Sequence, residues 1–228
     1  MIRAYAWMCT LAVPVALAAA SVAWTQENAD PRAAEKAVAV ADPDAVNPIE
    51  IQGEDWTLDF RFDTPEPIVV TGPDGEKQVY WYVVYTVTNC SGEDRRFVPS
   101  VLLYTDAGKT RRAGLYPKVF EAINAQRKIR FLENAVKMIG DLRQGDDNAK
   151  TGVAIFAPLD RDTDRFTLFV AGLSGQFVER TLAPAKEGDE PTTIRLRKTL
   201  ALEYDLPGDK WWMNLDQPHF VSKKWTWR

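Results

Sequence analysis

The chain has 228 residues, of which 46% are hydrophobic and 26% charged, and its formal net charge at pH 7 is −4. This much apolar material suits one compact domain rather than two large enzyme domains with a cleft between them. Because 32 acidic residues outnumber 28 basic ones, the charge balance argues against nucleic acid, whose binding needs a surplus of Lys and Arg.

The N-terminal segment has the pattern of a secretory signal peptide. Arg3 gives a short basic start, and residues 7–20 form an apolar stretch that is short for a spanning helix and interrupted by Pro14. Small residues follow, and we predict cleavage after Ala23, so that residues 1–23 are the signal peptide. The alternative is an uncleaved anchor with Trp24 at the membrane interface. We therefore expect an exported protein, periplasmic or extracellular, with no membrane span once the signal is removed.

The next segment is predicted to be a flexible tether. Residues 24–47 are Ala-rich and acidic and carry almost no large apolar side chains, so they cannot bury enough surface to offset their chain entropy. The folded domain is therefore expected to comprise residues 48–228.

Alternating apolar and polar residues dominate the start of that domain. Trp56, Leu58, Phe60 and Phe62 alternate with polar neighbours, which predicts a strand with one face on a core. Residues 79–88 are almost all β-branched or aromatic, which predicts a central strand covered on both faces.

The spacing of apolar residues along the sequence changes after Pro117. Apolar residues then recur at three- and four-residue spacing, and the spacing returns between Phe131 and Ile139. We predict a one- or two-helix insertion over about residues 117–140 that covers the core, with docking of a partner as the alternative if its apolar stripe is exposed. Strands resume afterwards, and about eight or nine strands in total favour a mainly β fold, an immunoglobulin-like antiparallel β-sandwich.

Two stretches resemble known proteins. YWYVVYTVTNCSGEDRRFVPSVLLYTDAGKTRRA, followed by GVAIFAPLDRDTDRFTLFVAGLS, is similar to secreted bacterial immunoglobulin-like domains of the telokin-like, immunoprotective extracellular class. The ending LPGDKWWMN…SKKWTWR resembles that of exported proteins of unassigned function from planctomycete-type bacteria. The resemblance implies a sandwich fold and export, and it supplies no catalytic residue.

Three carboxylates form the sharpest candidate metal site. Asp160, Asp162 and Asp164 stand at alternate positions, a spacing that can turn oxygens toward one Ca²⁺ ion. A helical calcium loop would also need a glycine and a bidentate Glu that are absent here, and a solvated turn is the alternative.

Adjacent tryptophans form the candidate ligand site. Trp211 and Trp212 cannot both point inward from a strand, so one of them is expected at the surface, where an aromatic face can bind a sugar. The basic pairs at residues 95–96 and 111–112 lie beside turns and are interpreted as a solvated rim.

Few residues are available for catalysis. His219 is the sole histidine, and Cys90, interpreted as a partly buried structural thiol, is the sole cysteine after signal removal. No nucleophile-elbow motif or phosphate-binding glycine loop is present. We therefore predict that the protein is not an enzyme and has no cofactor.

Two functional hypotheses follow. The preferred one is an exported, non-enzymatic β-sandwich that binds a protein or polymer of the cell envelope. The alternative is a carbohydrate-binding domain or a glycan hydrolase that uses paired carboxylates.

Overall fold

A computed structural model describes residues 50–72, 74–182, 191–208 and 216–228. These residues belong to one compact unit, Asn47–Arg228. The predicted signal peptide (residues 1–23), the predicted tether (24–47) and the candidate residues Trp211 and Trp212 lie outside the described residues.

Antiparallel strands make up most of the described structure, and one α-helix interrupts them. The strands are β1 (Ile51–Thr57), β2 (Asp59–Phe62), β3 (Glu66–Thr71), β4 (Lys77–Thr88), β5 (Arg95–Phe97), β6 (Ser100–Thr105), β7 (Thr110–Arg112), β8 (Gly140–Leu142), β9 (Lys150–Phe156), β10 (Arg165–Ala171), β11 (Ser174–Leu182), β12 (Thr192–Asp205) and β13 (His219–Trp227). The helix α1 covers Pro117–Arg127, and a short 3-10 helix covers Asp146–Asn148.

The larger sheet is organised around the long strand β12. It pairs with β11 along its first half, and with β10 and β13 along its second half; β1, β6 and β7 extend the sheet. β10 and β11 follow each other along β12 as one interrupted strand. Val170 pairs with Leu200 and Phe177 with Arg197, so six residues between Val170 and Phe177 face only two residues of β12. Four extra residues are therefore accommodated between β10 and β11, as in an enlarged β-bulge.

The smaller sheet is organised around β4, which pairs with β2, β3 and β9. The chain passes from the larger sheet to the smaller one at Leu58, whose N–H donates to Leu173 O. Residues 81–85 of β4 are buried at every position, which confirms the prediction of a central strand covered on both faces.

The main hydrophobic core lies between the two sheets. Large, fully buried side chains from both sheets form it, among them Trp81, Phe156, Phe166 and Tyr204, and Phe97 adds to it from a separate two-stranded sheet of β5 and β8. The predicted antiparallel β-sandwich with a helical insertion is confirmed.

Helix α1 covers the other face of the smaller sheet. Its first position is Pro117, which suits a helix start. Val119 and Ile123 are buried in a second cluster with side chains of β3, β4 and β9, so the apolar stripe caps the sheet as predicted. No helix in the described ranges is both long and apolar enough to cross a bilayer.

The segment after α1 is not a second helix. The helix ends at Arg127, and its C-cap residue Lys128 has φ 50°. The backbone of Glu133 instead bonds to β9, accepting from Val153 N–H and donating to Thr151 O. The apolar spacing between Phe131 and Ile139 therefore belongs to a loop fixed at the sheet edge.

Cys90 is exposed, so the expectation of a partly buried thiol is wrong. The preceding residue, Asn89, is the buried one, and its amide donates to Leu142 O and Glu93 O. Because neighbouring residues in an extended chain point to opposite sides, Cys90 faces solvent.

Candidate functional site

The larger sheet has a second face, directed away from the main core. Phe166, Leu168 and Val170 of β10 point into the core, so Thr167 and Phe169 point the other way. We call this side of the larger sheet the outer face.

A groove opens on the outer face where the strand formed by β10 and β11 is interrupted. Its volume is about 280 Å³. We call it the arginine groove, and it is lined by Trp56, Arg96, Val98, Gly172, Ser174, Gly175, Gln176, Phe177, Arg195 and Arg197.

Two small residues allow the aromatic wall of this groove to form. A Cβ atom at Gly175 would lie 2.4 Å from Trp56 Nε1, so the indole packs directly on the Gly175 backbone. Gly53 has φ +88°, and a Cβ there would lie 2.3 Å from Gly175 O. Glycine is required at both positions, since any side chain would displace its neighbour.

The pairing register of β11 with β12 determines where the side chains of Arg195 and Arg197 lie. Phe177 pairs with Arg197, and Glu179 pairs with Arg195. The Arg195 guanidinium lies 4.1 Å from the centre of the Phe177 ring and 2.9 Å from Glu179 Oε1. The ring contact and the ion pair together fix the orientation of the Arg195 guanidinium group.

The arginine groove is positively charged, although the chain as a whole is acidic. It contains three arginines and no acidic lining residue. Arg96 and Arg197 are exposed, and neither has an ion pair with a carboxylate in the described part of the chain. Asp141 stands opposite Arg96 in the β5–β8 pair and forms no ion pair with it in the described structure, so both arginine charges can contact a ligand.

A second cavity adjoins the arginine groove on the outer face. It measures about 320 Å³ and is lined by Tyr104, Phe169, Thr226, Trp227 and Arg228. The Arg228 guanidinium lies 4.1 Å from the centre of the Phe169 ring. Backbone hydrogen bonds in both directions join Arg228 to Arg197, at 2.7 and 3.0 Å, so the two cavities are neighbours.

This arrangement matches the chemistry of acidic sugars. Guanidinium groups form paired, charge-assisted hydrogen bonds with carboxylates, sulfates and phosphates. The Phe177 and Phe169 rings lie against the Arg195 and Arg228 guanidinium groups and add apolar surface beside those charges. Two adjacent cavities can contact successive units of a polymer.

Asp160, the first residue of the candidate calcium site, is engaged by two cations. Its Oδ2 lies 3.2 Å from Lys109 Nζ and 3.3 Å from Arg111 Nη2. No group of three or more His, Cys, Asp or Glu side chains suited to a metal occurs among the described residues. The structure therefore does not bring Asp160, Asp162 and Asp164 together, and calcium binding stays a prediction.

The basic pairs have more specific roles than a solvated rim. Arg95 pairs with Glu54 and Glu93 and lies over the Trp56 ring, while Arg96 lines the arginine groove. Sequence reasoning missed this site because its lining residues come from four separate segments. The available signal was the alternation of Arg195 and Arg197 with Ile194 and Leu196, which places both arginines on one face.

Comparison with known proteins gives no relative: no protein-family model, no curated protein and no solved structure matches this chain. The resemblance to immunoprotective extracellular domains stays a prediction.

Proposed function

We propose that this protein is an exported, non-enzymatic domain that binds an acidic polysaccharide of the cell envelope on its outer face. The arginine groove provides the primary contact, and the neighbouring cavity at Arg228 extends it. This deepens the preferred hypothesis from sequence, which left the partner as an envelope protein or polymer.

One observation carries the proposal. Three arginines and two aromatic rings line a groove that has no acidic lining residue, in a chain whose net charge is −4. Arg195 pairs with Glu179 beside the groove, whereas Arg96 and Arg197 have no ion pair among the described residues. Exposed arginines without an ion-pair partner repel one another, so concentrating them favours a site for an anionic ligand. The rings favour a sugar over a simple anion.

The hydrolase alternative is less well supported. A glycosidase needs two carboxyl groups roughly 5–10 Å apart across the scissile bond. Neither cavity of the outer face is lined by an acidic residue, so we favour binding without cleavage.

Isothermal titration of the full chain tests the proposal with three probes: polygalacturonate, dextran sulfate and neutral dextran. We expect binding of both acidic polymers, weakening with salt because the charges are exposed, and no binding of dextran. Equal affinity for dextran, or no binding of either acidic polymer, would overturn the proposal.

Paired substitutions locate the site. Arg195→Gln combined with Arg197→Gln is expected to weaken binding by roughly tenfold or more, since each charge-assisted hydrogen bond lost is worth about 1.5 kcal/mol or more. Arg61→Gln is the matched control, because the Arg61 side chain is 77% exposed and lies on the smaller sheet. Equal affinity of the double variant and the control would place the site elsewhere.

Two further measurements separate the rival functions. Oligothymidylate is expected to bind less tightly than polygalacturonate, and the reverse order would favour a nucleic-acid partner instead. Incubation with either polysaccharide is expected to release no new reducing ends, and their release would favour the hydrolase.

A further inference from the structure

The loop that follows α1 exposes large apolar side chains. Within residues 128–140, which we call the 128–140 loop, Phe131 is 78% exposed, Val136 55% and Ile139 45%. No other large hydrophobic side chain among the described residues is as exposed as Phe131. The loop is hydrogen-bonded to β9 of the smaller sheet through Glu133, and its last residue, Gly140, pairs with Phe97 of β5.

These side chains are exposed on a backbone that is held in place. Glu133 exchanges two hydrogen bonds with β9, and Met138 is fully buried in the main core. Asn134 Oδ1 accepts hydrogen bonds from the N–H groups of Val136 and Lys137. The loop therefore presents apolar groups in a fixed arrangement.

Phe131 also has an unfavourable backbone conformation. Its φ is 61°, in the left-handed region that bulky residues avoid. Burial does not explain this conformation, because the ring is exposed. Strain of this kind collects at functional sites.

The charge of the loop is positive. Lys128, Arg130 and Lys137 are exposed, and the Arg130 guanidinium lies 4.7 Å from the centre of the Phe131 ring. The one acidic residue of the loop, Glu133, is only partly exposed, and its Oε2 atom is buried. Exposed carboxylates border the loop at Glu121 and Asp141.

We propose that the 128–140 loop is a membrane-docking site for an anionic lipid bilayer. Phe131, Val136 and Ile139 enter the boundary between headgroups and acyl chains, as apolar side chains of peripheral proteins do. Lys128, Arg130 and Lys137 contact the lipid phosphates, since basic residues beside a bilayer are attracted to its negative surface. The charge complementarity selects an anionic bilayer over a neutral one, and none of these six side chains lines the arginine groove.

A site-specific probe tests this docking in the full chain. Cys9→Ser and Cys90→Ser remove the native thiols, and Phe131→Cys accepts an environment-sensitive NBD fluorophore. Vesicles consist of phosphatidylcholine alone or of an equal mixture of phosphatidylcholine and phosphatidylglycerol. The NBD emission is expected to shift to the blue with the mixed vesicles only, because the probe then enters an apolar environment.

The same probe at Arg61→Cys is the matched control and is expected to show no shift. Because the probe reports on residue 131 itself, adhesion through residues 1–23 alone would leave it unchanged, and that result would overturn the proposal. An equal response to phosphatidylcholine vesicles, or an equal shift at residue 61, would also overturn it.

Substitution of the three basic residues of the loop tests the electrostatic contribution to membrane docking. Lys128→Gln, Arg130→Gln and Lys137→Gln together are expected to weaken the response at residue 131 by roughly 100-fold at low ionic strength. Arg195→Gln with Arg197→Gln is expected to leave it unchanged. A loss in the second variant instead of the first would assign vesicle binding to the arginine groove.

Discussion

Replacing Gly175 by alanine tests how closely Trp56 packs into the arginine groove. The added Cβ atom would lie 2.4 Å from Trp56 Nε1, 2.7 Å from Trp56 Cε2 and 2.7 Å from Glu54 O. Real Cβ atoms do not approach other atoms this closely, and one of the three is backbone, so β1 and the indole must shift. Overpacking of this kind costs about 1–3 kcal/mol, which lowers the melting temperature of a domain of this size by about 2–12 °C.

Thermal unfolding followed by tryptophan fluorescence measures this effect. Gly92→Ala is the matched control, because φ at Gly92 is +94° and an added Cβ would meet nothing within 4 Å. That variant keeps the groove intact, and its destabilisation comes from backbone strain alone, about 1 kcal/mol. Gly175→Ala is also expected to weaken binding of polygalacturonate, whereas Gly92→Ala is not. A Gly175→Ala variant with the parent's stability and affinity would refute the described packing of Trp56.

Three further predictions concern stability. Phe131→Asn should raise the free energy of unfolding by about 1 kcal/mol in urea titrations, because asparagine tolerates the left-handed region. A loss of stability would mean that the exposed Phe131 ring stabilises the fold by more than its backbone strain destabilises it. Ile123→Ala should lower it by about 2–5 kcal/mol, since Ile123 is fully buried between α1 and the smaller sheet, and a change below 1 kcal/mol would contradict the capping role of the helix. Hydrogen bonds from Lys224 and then Ser222 lower the pKa of Glu203 from its ordinary value of 4.5, so the stability they supply is present above that value and is lost as pH falls through the lowered pKa. Glu203→Gln should therefore lose less stability than the parent between pH 7 and pH 3, and equal losses would contradict this assignment.

Local sequence patterns predicted the strands and the helix that bury one face, or both faces, in a hydrophobic core. The β-branched run in β4 and the helix start at Pro117 are of this kind, because burial periodicity and proline geometry are read from neighbouring residues. The segment between Phe131 and Ile139 misled the same reasoning. Its apolar spacing suits a helix, but the hydrogen bonds of Glu133 to β9 compete with the helix, and only tertiary structure reveals them.

The arginine groove could not be predicted from local sequence patterns, because it forms only where distant segments meet. The four extra residues between β10 and β11 are visible only once both strands are paired with β12. Arg96 reaches the groove from β5, and Trp56 reaches it from β1. The prediction that tryptophan faces could bind sugar was made for Trp211 and Trp212, which lie outside the described residues, whereas the groove uses Trp56.

The most direct test of the proposed function is a heteronuclear NMR titration of the full chain with an acidic oligosaccharide such as oligogalacturonate. The account predicts that the largest amide shifts occur at Phe177, Arg195 and Arg197, with smaller shifts at Arg228. Shifts confined to the smaller sheet, or shifts of equal size with a neutral oligosaccharide, would contradict it.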